Sequence, residues 1–570
     1  MLFSTSSSVD VYLKEVYNIK CQCLSKFLST DEIKKAMDYT DAVVDEILLA
    51  LDNTVSAEIN KAYGLDMKFF SALYSYSGKN HFAAYYFFVI SLKHLIELHK
   101  PDEPNEIIIY NFDFSTTFPD ISTDMTYIIN QLSQLFGGYD IKIISYHNIK
   151  RRQRHYIKEL SALFRRFKNM PLYMINRLIY VLLSSMRHKG FSAKKKTILL
   201  SEPLYEIEFI KSRLNKYNVI ADKHAENTGV KVNHNFKTLP AGIRHNINGD
   251  SLANIFIKDI TESFNNNIVL YLNTVDALRS INKQYPICLG IWGCSPWDGT
   301  RAITFEYLRS VHIKTAGSQH GCLFGETFIP WHFNTDFKRC DYYFSYGFTK
   351  NDLKKLYPEK QINIDVLPFG KVNLIPKKRK RQAIDILFPV TNTLSMLQGG
   401  IVRTPPDRLT KIQIEIINYM DSIDGINAYV KPFINSTVEN CSVFTLLNKV
   451  KRLKVVYDLK LDEFLQIYSP RAVVIEYPSQ PLVEVIHLDT EIFLLSDPIN
   501  PYAEDVLELL KKRVHYFEST EGLIAAIDLF LNGTLEKKRD NSYMNHYVCK
   551  DNTKENILKS IDALIENKNH

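Results

Sequence analysis

The chain has 570 residues, 45% of them hydrophobic and 23% charged, a balance that supports several folded modules of about 100 to 200 residues each and excludes a single small domain, a disordered chain or a collagen-like one. Seventy Lys and Arg against 63 Asp and Glu leave a net charge of +7, too mild at this length to demand nucleic acid, although it leaves room for a basic patch toward an anionic ligand or surface. Eight cysteines, of which only Cys21 and Cys23 are close neighbours, are too sparse for a disulfide framework and offer no zinc spacing.

The opening MLFSTSSSVDVYLKE lacks the basic segment and apolar core of a secretory leader, so the expected location is cytoplasmic. Residues 1–103 are expected to form a helical N-terminal region, on the 3.6-residue spacing of Phe82, Tyr86, Val89, Ile90, Leu95 and Ile96. Its aromatic stretch from Phe69 to Phe88 reads as a helix packed on the next domain, with a grip on a membrane surface as the alternative. The most apolar runs, Phe82 to Leu92 and Leu178 to Leu183, are shorter than the roughly 20 residues that cross a bilayer.

From Glu106 the pattern changes to short β-branched runs separated by helical segments: Ile107 to Tyr110, Asp140 to Ile144, Thr197 to Leu200, Cys288 to Trp292, His312 to Thr315 and Tyr342 to Phe344. Such alternation is the sequence form of a parallel sheet covered by helices, so residues 104–373 are expected to be a first Rossmann-like domain. Residues 374–383, with Pro376 and the cations Lys377 to Arg381, form a linker; a nuclear-targeting or nucleic-acid-binding role for KKRKR is the weaker alternative. A second alternating series follows over 384–535, with strands at Ile384 to Phe388, Asn427 to Val430, Lys454 to Tyr457, Ala472 to Ile475 and Glu491 to Leu495. A C-terminal tail and helix occupy 536–570.

In open parallel sheets ligands bind beyond the carboxyl ends of the strands. His320 lies in such a place, in Thr315-Ala-Gly-Ser-Gln-His-Gly-Cys322, where small residues let a ligand approach the backbone and an imidazole can move a proton near neutral pH. The same histidine fits a loop in which it merely satisfies local carbonyls. Asp298, after Pro296-Trp297, fits either a nucleophile or base or a plain helix cap. Glu202, directly after the strand Thr197 to Leu200, fits an acid or base or an ordinary turn residue. In the second domain Ser479 precedes a short helix that carries Glu484; a serine there suits a nucleotide phosphate and the carboxylate suits ribose hydroxyls, although a simple cap looks the same. Lys431 and Asn392, at neighbouring strand ends, are weaker candidates for that cleft.

With Gln319-His320-Gly321, Cys340 to Gly347, Val366 to Gly370 and Ser479 to Glu484 in view, the chain resembles the GT-B glycosyltransferases of bacterial surface-polysaccharide synthesis, capsule and lipopolysaccharide, above all those with a Q-H-G loop that transfer Kdo-type sugars. The resemblance is at motif level over about residues 104–535. It implies an α/β GT-B fold, two Rossmann-like doubly wound domains facing a cleft, here with an N-terminal helical extension. By the same resemblance, His320 lies near the reacting centre with Asp298 and Glu202 as the catalytic carboxylates, nucleophile or base, and Ser479 and Glu484 hold the donor; Gln319 and Gly321 of the Q-H-G loop, and Lys431 and Asn392 from their strand-end positions, are the further donor-binding candidates. No metal or other cofactor is implied, which agrees with the absence of an obvious D-x-D motif. The implied partners are a nucleotide-sugar donor and a glycan or glycolipid acceptor, with peripheral contact at the inner membrane and no nucleic acid. A CMP-activated ulosonic acid such as Kdo is the favoured donor. Because the second domain lacks an unmistakable H-P pair, a UDP-hexose or a CDP-linked polyol stays open, as do a phosphopolyol transferase, a nucleotide-sugar epimerase and a non-catalytic binding protein on the same fold.

Overall fold

The computed structural model describes the chain except for residues 1, 5–9, 12, 16–17, 19, 99–105, 113–132, 137–138, 147–191, 193, 202–203, 205–206, 222–250, 295–298, 322, 330–332, 375–380, 394–403, 435, 437–440 and 567–570. The run Leu178 to Leu183 and the cations 377–380 therefore lie outside the described residues.

Two short strands, β1 (Leu2–Ser4) and β2 (Gln22–Cys23), precede the helices α1 (Thr30–Leu51) and α2 (Phe69–Glu97). Ser29 opens α1 with a reciprocal cap: its hydroxyl accepts the Glu32 N–H, and the Glu32 carboxylate accepts the Ser29 N–H. The aromatic face of α2 is interior. Phe69, Phe70, Tyr74, Phe82, Tyr85 and Phe88 are buried, and the Phe70 and Phe82 rings lie 4.4 Å from Phe264 and 5.3 Å from Phe256. This is the arrangement of a helix packed on its neighbours. Among the described residues no helix is long and apolar enough to cross one.

The runs near 107 and 140 do form strands, β3 (Glu106–Phe112) and β4 (Asp140–Tyr146). Their expected membership in the first Rossmann-like sheet is corrected: β3 pairs with β1, and the four strands make a separate parallel sheet of order β2-β1-β3-β4. At three and two residues β1 and β2 are too short to show a period, so the N-terminal region reads as purely helical when it carries half a sheet.

The first lobe follows as β5 (Thr197–Ser201), β6 (Asn218–Ala221), α3 (Ser251–Gln284), β7 (Ile287–Trp292), α4 (Gly299–Ser310), β8 (Lys314–Ser318), β9 (Tyr342–Ser345), α5 (Lys350–Leu356) and β10 (Asp365–Pro368). All six strands run parallel in the order β10-β9-β8-β7-β5-β6. The direction of progression reverses between β5 and β7, which opens a crevice at their carboxyl ends. Central strands are covered on both faces, and Ile198, Leu199 and Leu200 are accordingly buried in succession.

The second lobe contains β11 (Gln382–Val390), α6 (Pro406–Ser422), β12 (Ala428–Pro432), β13 (Lys454–Val455), β14 (Tyr468–Ile475), α7 (Gln480–Val485), β15 (Glu491–Leu495), α8 (Glu504–Lys511) and β16 (His515–Phe517). The order is β13-β12-β11-β14-β15-β16, all parallel, with the reversal between β11 and β14. These are the strand orders of doubly wound α/β sheets.

The tail then returns to the first lobe as α9 (Ser542–Tyr547) and α10 (Thr553–Glu566). Ile557, Ile561 and Ile565 share a core with Ile198, Leu200, Leu289 and Ile291, and Asp562 accepts the Tyr217 hydroxyl at 2.8 Å. Near the lobe junction Thr327 bridges to Tyr502, and the Ala503 N–H donates to the Glu326 carbonyl at 2.9 Å. The Tyr543 hydroxyl of α9 donates to the Glu326 carboxylate at 2.5 Å, and burial pushes that carboxyl up to about 8.

The tail passes so close to Gly347 that a Cβ there would stand 1.8 Å from the His546 carbonyl oxygen. Gly347→Ala is therefore expected to cost about 1–3 kcal/mol or more in urea unfolding, the range of an overpacked interior. An unchanged midpoint would mean that the tail does not close on this turn in solution.

Candidate functional site

In the second lobe the strand reversal puts the carboxyl ends of β11 and β14 side by side, and one side chain ties them together. Glu476, the residue after β14, accepts the Thr391 N–H beyond β11 at 2.6 Å and the Gln413 amide of α6 at 3.1 Å through one carboxylate oxygen. Its other oxygen is buried and has no hydrogen-bond partner among the described residues. Burial pushes this carboxyl up to about 7, and the bonds from Thr391 and Gln413 limit the rise. Behind it lies a buried hydroxyl cluster: Ser442 is 3.0 Å from the Thr393 hydroxyl and accepts from Thr410 at 2.8 Å.

The expected donor residues border this crevice. Lys431, paired in register with Pro389 of β11, ends β12 and donates to the Pro432 carbonyl at 3.1 Å. Its burial lowers the ammonium pKa, and the Glu484 charge is the largest influence opposing that fall, so the two side chains share one electrostatic environment. Glu484 also accepts from the Gln480 amide one turn earlier at 3.1 Å. Ser479 is the extended residue before α7. Asn392, just beyond β11, is half-buried and accepts from Ser436 at 3.3 Å. Arg513 fixes the far end of α7: its buried guanidinium donates to the carbonyls of Ile486, Leu488 and Thr490 at 3.1, 2.7 and 3.1 Å, so the turn into β15 is held from below.

In the first lobe the loop after β8 is braced by Gln319. Its backbone N–H donates to the Phe344 carbonyl at 2.9 Å, its side-chain amide donates to the Gly321 carbonyl at 2.7 Å, and its side-chain oxygen accepts the Tyr346 N–H at 2.7 Å. Expected as a donor contact, Gln319 is instead buried and engaged at both ends of its amide, which makes it a positioning residue for His320 and Gly321. His320 is half-buried, with its ring 4.8 Å from that of Phe324.

This loop meets the second lobe. A Cβ built on Gly321 would lie 3.8 Å from the Gln480 side-chain oxygen, so the imidazole-bearing turn of one lobe stands against the amino end of α7 in the other. Glu202 and Asp298 lie outside the described residues. The strands that lead to them do not: Ser201 of β5 and Trp292 of β7 are register partners at the first lobe's own reversal. Among the described residues no group of three or more His, Cys, Asp or Glu is placed to hold a metal.

Thus Lys431, Ser479, Gln480 and Glu484 are brought together, with Gly321 and His320 across the seam and Asn392 at the adjoining strand end. Glu476, Gln413 and Gln480 escaped the sequence reading. Glu476 had a legible signal, a carboxylate that ends an apolar strand run, the same cue that singled out Glu202.

A family model described as "LIC12162 family transferase" matches residues 16–490. No curated protein matches significantly. Similar solved structures include the UDP-GlcNAc 2-epimerase of Neisseria meningitidis bound to UDP-GlcNAc, at 10% identity over 65% of this chain and 100% of that one with a TM-score of 0.38. That of Methanocaldococcus jannaschii matches at 14% identity over 65% and 99%, also at 0.38. TarM matches at 11% identity over 52% and 58%, at 0.34. These likenesses are distant, and the α/β assignment stands on the strand orders themselves.

Glu476 makes a pH-dependent prediction. Its folded value near 7 lies above its ordinary 4.5, so between those values the unfolded chain has lost the proton that the folded chain keeps. Stability from this group is therefore fully present at low pH and declines as pH rises through 7, by at most on the order of 3 kcal/mol. Glu476→Gln, which cannot ionise, is expected to gain relative to the parent between pH 5 and pH 8 in urea unfolding. A difference between the two proteins that stays constant over this range would refute the assignment.

Proposed function

The chain belongs to the LIC12162 family of transferases, and from that premise we propose that it transfers a glycosyl group from a nucleotide-sugar donor to a glycan or glycolipid acceptor. The observation that carries this reading is the approach of Gly321 to Gln480. It sets a histidine turn of one parallel sheet against the strand-reversal crevice of the other, where doubly wound folds hold nucleotides. Nucleotide phosphates on this reading lie near Ser479, with Lys431 supplying positive charge and Glu484 reaching ribose hydroxyls.

In the transfer step the acceptor oxygen forms a bond to the anomeric carbon while the bond from that carbon to the donor phosphate oxygen breaks. The electron pair leaves with the nucleotide, where Lys431 offsets the new charge. His320 takes the proton from the acceptor hydroxyl, and Asp298 and Glu202 are the carboxylates proposed to assist, either as base in this displacement or, in a two-step route, as the nucleophile that displaces the nucleotide and is then displaced by the acceptor oxygen. No metal is assigned a part. Among donors, a CMP-activated ulosonic acid is favoured on the resemblance of Gln319-His320-Gly321 and Ser479 to Glu484 to Kdo-type transferases, and a cytoplasmic enzyme acting at the inner membrane face is the corresponding setting.

The test is thermal unfolding with CMP, CDP, UDP and GDP in turn. A ligand at about 100 times its Kd stabilises by about 2.7 kcal/mol, and CMP is expected to give the largest rise in Tm. A flat response to all four would remove the donor site. For the chemical step, His320→Ala is expected to lower turnover at least about 100-fold while the melting curve keeps its midpoint; undiminished transfer of labelled sugar would take His320 out of the mechanism. Product analysis with the same labelled donor separates glycosyl transfer from phosphopolyol transfer and from epimerisation.

A further inference from the structure

The N-terminal sheet has a crevice of its own. In the sheet of order β2-β1-β3-β4, a pocket of about 770 Å3 opens against β1, the start of β2 and the end of α2, within the size range of small-molecule sites. Its wall is divided by chemistry. Phe3, Phe27, Leu95 and Leu98 supply an apolar side, with the Phe3 and Phe27 rings edge to face at 5.9 Å and Leu98 left 68% exposed. Lys14 and Lys20 also line it, and both are exposed.

Asp10 does not neutralise them. Its carboxylate accepts from Ser4, the last residue of β1, and from the Cys21 thiol at 3.0 Å, and burial raises its pKa to about 6. The N-terminal region that carries the pocket also contacts the second lobe. Ser25 donates to Asp407 at 2.7 Å, Arg408 donates to Thr30 at 2.9 Å and to the Leu28 carbonyl at 3.3 Å, and the Asp407 charge is felt at Asp10.

We propose that this pocket binds an amphiphile with an anionic head group, its alkyl part against Phe3, Phe27, Leu95 and Leu98 and its anion between Lys14 and Lys20. An uncharged apolar ligand would make no use of the two ammonium groups, and a small anion alone would make none of the apolar residues; an amphiphilic anion engages both. Because the segment that follows the pocket, Ser25 to Thr30, contacts the donor lobe, the bound molecule is assigned as the acceptor or its carrier, an extension that rests on the glycosyl-transfer reading above.

The probe is decyl phosphate, kept monomeric and titrated calorimetrically into the full chain. Binding is expected to weaken at least about tenfold in Lys14→Ala/Lys20→Ala, to lose most of its salt dependence there, and to weaken again in Leu98→Asp, whose exposed position leaves folding undisturbed. Decanol is expected to bind more weakly than decyl phosphate. Undetectable binding, or equal binding by parent and variants, would overturn the proposal. Two further arms separate the sources and the readings. Competition by free inorganic phosphate as effective as that of decyl phosphate would overturn the amphiphile, and binding only to phosphatidylglycerol vesicles would replace the pocket by a membrane surface. Nucleotide-induced stabilisation is measured on the same variants. If no nucleotide stabilises any of them while decyl phosphate binding still depends on the lysines, the pocket stands and its acceptor role falls.

Discussion

In each lobe one buried polar side chain joins the carboxyl ends of two neighbouring strands, and the placing of the loops that face each other across the lobes depends on it. Gln319 spans from the loop after β8 to the turn after β9, and Glu476 spans from the end of β14 to the loop after β11. A loop at a sheet edge exposes backbone N–H and C=O groups that must find partners once water is excluded. A side chain that satisfies both sides at once fixes the loop without filling the space above it. The two differ in kind: the amide is neutral at every pH, whereas the carboxyl keeps one oxygen buried and unmatched.

The two edges also carry different groups. The braced turn of the first lobe holds His320 at the surface of its sheet, half-buried against Phe324, where a proton can be exchanged. The second lobe surrounds its crevice with Lys431, Glu484, Gln480 and the Glu476 cluster, groups able to recognise an anionic, hydroxyl-rich ligand. Main-chain bonds from Ala503 to Glu326 and from Phe328 to Pro501 stitch the lobes together a few residues beyond the histidine. The turn and the crevice are thus registered by a seam next to the site rather than by a distant hinge.

Much of this was legible in the sequence. Strands such as Ile198-Leu199-Leu200 and Ile492 to Leu495 are buried on both faces and read as unbroken apolar runs, and the glycines beside His320 marked a strand-end turn. The basic segment after Leu374 separated two similar patterns. What stayed hidden has common causes. β1, β2 and β16 are shorter than any period that could reveal them, and the pairing of β3 with β1 joins residues more than a hundred positions apart. Nothing in the local sequence says that Gln319 turns inward, because an amide that braces a loop and one that binds a ligand have the same chemistry. Glu476 was passed over for the opposite reason: the serine and glutamate after it made the more familiar pattern.

The return of α10 to the first lobe bears on how the protein is made. Ile557, Ile561 and Ile565 complete an apolar core whose other members include Ile198, Leu200 and Ile291. Domains generally fold as units in the order in which they leave the ribosome, but this one waits for α10, which is synthesised after the whole second lobe. During translation the first lobe therefore carries an open apolar face while the second lobe, built from one continuous stretch, can close ahead of it. Premature termination shortly before α10 would yield a chain with a complete second lobe and a first lobe suited to capture by chaperones.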